Sequence, residues 1–372
     1  MLHRANSIGA ALLMTVTVPF FTSANAADAP VKVAKKTVDV PFFSLIDNRF
    51  TYSWQPNGTD PGVYSIRPDG SVNGKTAKQY YSFTHFDIWQ YGTNFFTISY
   101  IKSDHNDPAA PCTNAGAIFD PNTGISRSAN CAGATEVYGL FRSTLGWNEL
   151  FNTRQFSAGP LHNISFEVGM DMGTENNYLA PAKRDVVAGL QFAFDLPYKG
   201  YLNVAPLLYW EFSNHSAFTQ CGAGWQLPAS AVAYPSPGAN CLTDGNRRFK
   251  PTWAVEVNYY MDLGFLPESM RYFSISGRAG WYGPKGYENN PLVGTKTAIE
   301  LNAEPIRLTF DASKAVWGEK YSHFVDVWVA YRYWQNKFGI DHATSNVCNI
   351  APGVSNNSCT ESSIYSGVSV KF

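Results

Sequence analysis

After residue 26 the 372-residue chain has no stretch approaching 18 consecutive apolar residues, so no ordinary helical membrane span is expected. Charged residues are scarce, at 15% of the chain against about 25% in typical soluble domains. The net charge is −1, which leaves no basic surplus for nucleic acid or anionic lipid. Cysteine pairs of the C-x-x-C kind are missing, as is a G-x-S-x-G nucleophile elbow. No internal repeat or linker divides the chain beyond a short N-terminal tail. Aromatic residues, in contrast, reach 15%, with Phe and Tyr dominant. Few charges and many rings require a particular environment.

Met1 to Arg4 supply a positive start, an apolar run follows from Ile8 to Phe21, and Ala24-Asn25-Ala26 is a small-x-small cleavage site. This is the pattern of a secretory signal peptide over 1–26. Its run of 14 apolar residues falls short of the ~20 that a helix needs to cross a ~30 Å hydrocarbon core, so its removal is expected. Residues 27–41 then form a periplasmic tail containing Lys32, Lys35 and Lys36, and 42–372 form one domain. An exported chain without helical spans can occupy a membrane only as a closed barrel, because every backbone group must be paired within the sheet.

A lipid-spanning strand takes ~9 to 11 tilted residues whose side chains alternate between lipid and lumen. That period runs through Phe249 to Met261. Trp253, Val255, Val257, Tyr259 and Met261 share one face, and Thr252, Ala254, Glu256, Asn258 and Tyr260 share the other. Val186 to Asp195 repeats it, with Ala188, Leu190, Phe192 and Phe194 on one face. So does Phe324 to Gln335, where Val325, Val327, Val329, Tyr331 and Tyr333 alternate with Asp326, Trp328, Ala330, Arg332 and Trp334.

Twelve strands are predicted, starting near 42, 80, 94, 135, 160, 184, 200, 249, 272, 295, 324 and 361. Long polar connections fall at about 55–79, 103–134, 173–183, 214–248, 284–294 and 336–360, whereas turns such as 91–93 and 197–199 are tight. The fold class expected is all-β: a transmembrane antiparallel β-barrel of about 12 strands, with long extracellular loops, short periplasmic turns and periplasmic termini. In the tenth strand Glu300, Asn302 and Glu304 share a parity that Ile306, Leu308 and Phe310 then occupy. Pro305 between them suggests a bulge that resets the register. Phe50, Tyr52 and Trp54, like Trp210 and Phe212, cluster near strand ends as an aromatic girdle would. In the twelfth strand Ile364, Val368, Val370 and Phe372 keep one parity, and a terminal Phe there resembles the signal read by barrel-assembly machinery. The location expected is the outer membrane, with membrane lipid as a partner.

The six cysteines fall in three long connections: Cys112 and Cys131, Cys221 and Cys241, Cys348 and Cys359. Disulfides persist in an oxidising compartment, and pairing within each loop is favoured. Each bridge restricts its loop by roughly 3 kcal/mol in the chain-entropy model. Asp120, Asn122 and Gly124 resemble a calcium loop, but Cys131 stands at the twelfth position, where a bidentate Glu belongs. His162-Asn163 near Ser165 is the one approach to a nucleophile and base, and a polar strand end accounts for it. No catalytic group, metal or cofactor is expected.

Inward residues are predicted to include His85, Asp87, Glu136, Arg142, Glu167, Asp171, Glu211, Glu256, Arg278, Glu300, Glu304, Asp326 and Arg332. Acids outnumber bases on that face, which is expected to favour neutral or cationic solutes over anions. In the second strand Tyr81, Phe83, His85, Asp87 and Trp89 share a face. Turned to the lumen, it would be a stacking track on which each ring–base contact is worth ~1–3 kcal/mol. Turned to lipid, its rings would meet acyl chains, and Asp87 argues against that.

Ser82 to Asp104, SFTHFDIWQYGTNFFTISYIKSD, resembles the nucleoside-specific channel-forming family (Tsx-like) of outer-membrane proteins. So do ATEVYGLFRSTL from Ala134 to Leu145 and KRDVVAGLQFAFDLPYKGYLNVAPLLYWEF from Lys183 to Phe212. With GPKG at Gly283 to Gly286, the similarity runs from about Phe42 to Phe372. The resemblance implies a monomeric twelve-stranded barrel and passive uptake of nucleosides or deoxynucleosides, held weakly by aromatic and polar residues along a narrow channel. The long cysteine-bearing loops depart from that pattern. Two other functions stay open: a less selective porin for sugars or other small organics, and an outer-membrane lipid hydrolase.

Overall fold

The computed structural model describes residues 42–372 except 68, 109–117, 121–124, 128–130, 177–181, 216–248, 286–297 and 346–347. The expected signal peptide and tail lie outside the described residues. Alternating side chains between reversing turns produce twelve long strands. They are β1 (Phe43–Gly58), β2 (Thr76–Trp89), β3 (Gly92–Ser103), β4 (Thr135–Gly146), β5 (Leu161–Glu175) and β6 (Ala182–Leu196). The meander continues through β7 (Gly200–His215), β8 (Thr252–Asp262), β9 (Phe273–Tyr282), β10 (Glu300–Asp311), β11 (Val325–Gln335) and β12 (Thr360–Lys371). Each strand pairs with its sequence neighbours and β1 pairs with β12, so the sheet closes into a twelve-stranded antiparallel barrel as expected. Closure leaves no unpaired edge.

The connections alternate in length as the sequence indicates. Residues 90–91 and 197–199 make tight turns on one side, and Tyr198 and Lys199 both adopt positive φ to reverse the chain. Two connections on that side are longer than expected: 147–160 holds the helical turn Trp147–Leu150, and 312–324 holds the helix Ala312–Trp317, capped by the Asp311 carboxylate accepting from Lys314 N at 2.9 Å. On the opposite side the long loops carry small hairpins, such as Ser65–Ile66 with Val72–Asn73. Loop 59–75 lies against loop 336–359 there. Gly62 N donates to Ser358 O, and a Cβ on Gly74 would fall 2.3 Å from Asn356 O, so only glycine fits that approach. The Cys348–Cys359 disulfide closes the second of these loops, as local pairing predicts. Cys131 is also disulfide-bonded, whereas Cys112, Cys221 and Cys241 lie outside the described residues.

Parity divides the wall cleanly. Phe50, Tyr52 and Trp54 of β1, Phe166, Val168, Met170 and Met172 of β5, and Val327 and Val329 of β11 point outward and are exposed. Ser53, Gln55, Glu167, Asp171, Asp326 and Trp328, one residue out of step with them, are buried within the barrel. At β10 the pairing with β11 shifts between Ala303 and Ile306, and the pairing with β9 shifts between Ser276 and Arg278. This is the expected bulge around Pro305, which has no N–H to give the ladder. It turns both Glu304 and Arg307 inward, three positions apart, while Ile306 and Leu308 stay outward.

Candidate functional site

The inward face is a wall of paired charges arranged at three levels. At the outer level, residues 59–64 turn into the barrel mouth, where Thr59, Asp60, Val63 and Tyr64 are buried. Lys78 of β2 places its ammonium between Asp60 and Glu136 of β4. The carboxylates of Asp60, Glu136 and Glu175 converge within 4.8 Å of one another, and the Lys78 ammonium supplies their counter-charge. Burial pushes the Asp60 carboxyl above its ordinary range, with Lys78 pulling the other way. Thr59 N donates to Glu361 Oε2 at 2.8 Å, tying this loop to β12.

At the middle level Arg142 of β4 reaches across the lumen to β8. Its Nε and Nη2 donate to Glu256 Oε2 and Oε1 at 2.9 and 2.7 Å, and its Nη1 donates to Asp171 Oδ1 at 2.6 Å. A bidentate guanidinium–carboxylate pair has fixed geometry, so this contact is a strut along a chord of the barrel. Gly169 lies opposite Arg142 in the neighbouring strand. A Cβ there would stand 2.5 Å from Arg142 Cδ, so the missing side chain lets the arginine lie flat. Around the strut, Tyr138 OH donates to Asp171, Tyr282 OH to Glu256, and Gln191 to Glu167. Lys285 sits beside Glu211 and 3.4 Å from Glu300, and Lys183 lies 3.1 Å from Asp185.

Facing that group across the lumen, Arg307 Nε pairs with Glu304 at 2.7 Å and its guanidinium stacks 3.9 Å from the Trp328 ring centroid. Tyr365 OH donates to Glu304, and Tyr80 OH to Gln55. Arg332 Nε lies 2.8 Å from Glu361 Oε1, without the alignment of a hydrogen bond. Arg278 of β9 stands opposite Asn258 and Glu304 and is exposed to the lumen. At the inner level Arg49 bridges Asp47 and Asp326, each at 2.7 Å, and Lys371 reaches Asp47 at 2.9 Å. His323 Nδ1 lies 3.0 Å from Asp326, while Tyr260 OH donates to Asp262 at 2.5 Å. Asp311, His323 and Asp326 form a second convergent set of ligand-type atoms, engaged by Arg49 and by the turn's own N–H groups.

The structure thus brings Glu136, Arg142, Glu167, Asp171, Glu211, Glu256, Arg278, Glu300, Glu304, Asp326 and Arg332 onto one inward surface. Four sequence-predicted lumen residues lie elsewhere. Tyr81, Phe83, His85 and Asp87 are on the outward face, which corrects the expected stacking track. Tyr81 pairs with outward Tyr52 and Tyr100, and Phe83 packs near Phe96 and Phe372. Asp87 misled because it is polar, yet it lies two residues from the periplasmic end of β2 and is satisfied there. His85 Nε2 and Asn94 Nδ2 contact its two oxygens at 3.0 and 2.9 Å, and Asn48 meets the other side of His85. A lipid-facing charge near an interface costs only ~0–1 kcal/mol.

The inward side chains that sequence reading missed are Lys78 and Tyr80 on β2, together with Tyr138, Lys183, Asp185, Tyr209, Tyr282, Lys285, Arg307, Glu361 and Tyr365. Lys78 was the available signal: its parity opposes that of Tyr81, and a lysine belongs in the lumen more readily than a ring. His162 and Ser165 sit on opposite faces of β5, with His162 turned to exposed Asp195 and Ser165 buried inward, so they cannot act as nucleophile and base.

A closed barrel with an apolar outer face and a charged interior defines a transmembrane β-barrel of the outer membrane. No family model matches the chain, and no curated protein matches it. Among solved structures it is similar to an outer membrane channel from Pseudomonas putida F1, at 10% identity, covering 89% of this chain and 98% of that one, with a TM-score of 0.39. It is also similar to the translocator domain of the autotransporter NalP from Neisseria meningitidis, at 9% identity over 88% of each chain and a TM-score of 0.35. A third is the outer membrane protein opdK from Pseudomonas aeruginosa, at 10% identity over 89% of this chain and 99% of that one, with a TM-score of 0.29.

Proposed function

We propose that this barrel is a channel for passive diffusion of small polar solutes across the outer membrane, acting as a monomer. The observation that carries the reading is the water-exposed, charged inward wall at Arg278, Arg307 and Arg49, inside a barrel whose outer face is apolar. Fixed side chains lining a lumen set which solutes enter and leave. Reconstitution into planar bilayers is expected to give discrete single-channel currents, and a protein that inserts without conducting would sink the reading.

Within that class, nucleosides are the finer proposal. Its support is the resemblance of the segments at 82–104, 134–145 and 183–212, together with inward, half-buried rings whose hydroxyls are anchored, such as Tyr138 and Tyr282. Those rings replace the second-strand track, which faces lipid. Adenosine or thymidine is expected to block the current at millimolar-scale concentration. If no nucleoside does so while liposomes swell equally in a panel of sugars, the less selective porin is the better description. The outward parity of Val368, Val370 and Phe372 supports the assembly machinery as a further partner.

A further inference from the structure

Acids outnumber bases along the lumen, but the two signs do not meet the water equally. On β10, β11 and β12 an acid lies beneath its arginine in each of three ion pairs, while Asp47, the second partner of Arg49 on β1, is 17% exposed. The side chains of Arg307 and Glu304 are 28% and 6% exposed, those of Arg332 and Glu361 18% and 2%, and those of Arg49 and Asp326 27% and 4%. On the β4–β8 side Arg142 and Glu256, 11% and 17% exposed, cancel through their bidentate contact, Glu136 is 20% exposed beside buried Lys78 at the mouth, and Lys285, Glu211 and Glu300 are all buried. An ion pair with its anion buried and its cation wet presents positive potential to the lumen, because the low-dielectric wall screens little.

Arg278 adds a full charge to this surface. It is inward and exposed, and among the described residues it forms no ion pair. Its cross-strand neighbour Glu304 is already held by Arg307 and Tyr365. Glu304 is therefore paired with Arg307, and Arg278 opposite it has no ion-pairing carboxylate among the described residues. Register orders the cations along the wall. Arg278 stands opposite Glu304, Arg307 opposite Ala330 two residues inward of Arg332, and Arg49 opposite Lys371 at the inner end. A solute moving inward would pass Arg278 and Arg332, then Arg307, then Arg49.

We propose that Arg278 is the specificity-determining residue of the lumen and that the channel favours a small organic anion over its neutral counterpart. The group recognised is a planar or tetrahedral oxyanion, because the guanidinium fork matches carboxylate and phosphate oxygens. The proposal deepens the channel reading and rests on it. It also reverses the sequence expectation of an anion-excluding wall, which counted charges without knowing which were covered.

The test uses the intact barrel in planar bilayers under a potassium chloride gradient. The reversal potential is expected to show chloride passing in preference to potassium. Arg278→Lys keeps that preference, Arg278→Gln lowers it, and Arg278→Glu inverts it. Half-blocking concentrations are then compared for gluconate against glucose and for adenosine monophosphate against adenosine. The anion of each pair is expected to block at a concentration about 5- to 10-fold lower, equivalent to about 1 kcal/mol, and the gap closes in Arg278→Gln. The first pair reports a carboxylate preference, the second a phosphate-ester preference. A potassium-selective wild type, or the same ratio in the lysine and glutamate variants, would overturn the assignment. Complete absence of current in the wild type would instead overturn the channel reading.

Discussion

Arg142 makes hydrogen bonds to Asp171 on β5 and Glu256 on β8, so its loss would leave buried carboxylates without their counter-charge. Breaking a buried pair from one side costs about 3–5 kcal/mol. Arg142→Ala is therefore expected to lower the urea midpoint of the reconstituted barrel while raising single-channel conductance, because the strut across the lumen is gone. Gly169→Ala should raise conductance in the same direction by displacing the arginine, and it also costs stability because its Cβ would meet the Phe141 backbone oxygen at 2.5 Å. At the inner end, the hydrogen bond to Asp326 raises the His323 pKa above its ordinary 6.5, against the opposing effect of burial. A raised folded-state pKa means that this contact stabilises fully below about pH 6.5 and fades as pH climbs through the raised value. Unfolding measured between pH 5 and 9 should show that loss, and it should be absent in His323→Gln; an unchanged profile in the variant would exclude His323 as its source.

At the scale of the strand, β2 illustrates what alternation conveys and what it omits. Its period was legible, but a period has two phases, and the phase was set by Asp87, a residue satisfied locally by His85 and Asn94. Lys78 and Tyr80, on the other phase, form the true lumen face. Tyr81→Cys is expected to be quenched by lipid-phase reagents and spared by aqueous thiol reagents, whereas aqueous labelling of Tyr81→Cys would restore the luminal phase. In β8, β11 and β12 the phase was legible because charge and bulk agree along the whole strand: Glu256, Asp326 and Lys371 do not share a side with the large aliphatics, whereas in β7 Leu207 lies inward with Glu211. In β10 the conflict between Glu304 and Ile306 was itself informative, because only a bulge at Pro305 reconciles them. Pairing across the lumen was not legible. Nothing in a period of two relates Arg142 to Glu256, which are 114 residues apart and on strands that do not touch.

For the whole molecule, removal of the expected leader should leave Ala27 as the mature N-terminus, checked by intact mass. The Cys348–Cys359 bridge lies in the loop that packs on 59–75, outside the spanning strands. The Cys348→Ser, Cys359→Ser double variant is expected to lose about 3 kcal/mol of loop restraint. The readout is faster proteolytic nicking near 340–359 with the barrel still intact. Eleven of the twelve seams join strands adjacent in sequence, and such hairpins can form early because their loops close locally. The twelfth joins β1 to β12 through six cross-strand pairs, Arg49–Trp54 with Ser366–Lys371, fastened by Thr51 to Ser369 and by Asp47 to Lys371. That seam spans nearly the entire chain, so its closure is expected to be slower than that of the local hairpins. Until it closes, both edges remain open templates for a foreign strand, which makes the arrival of β12 the moment at which an aggregation-prone sheet becomes a sealed cylinder.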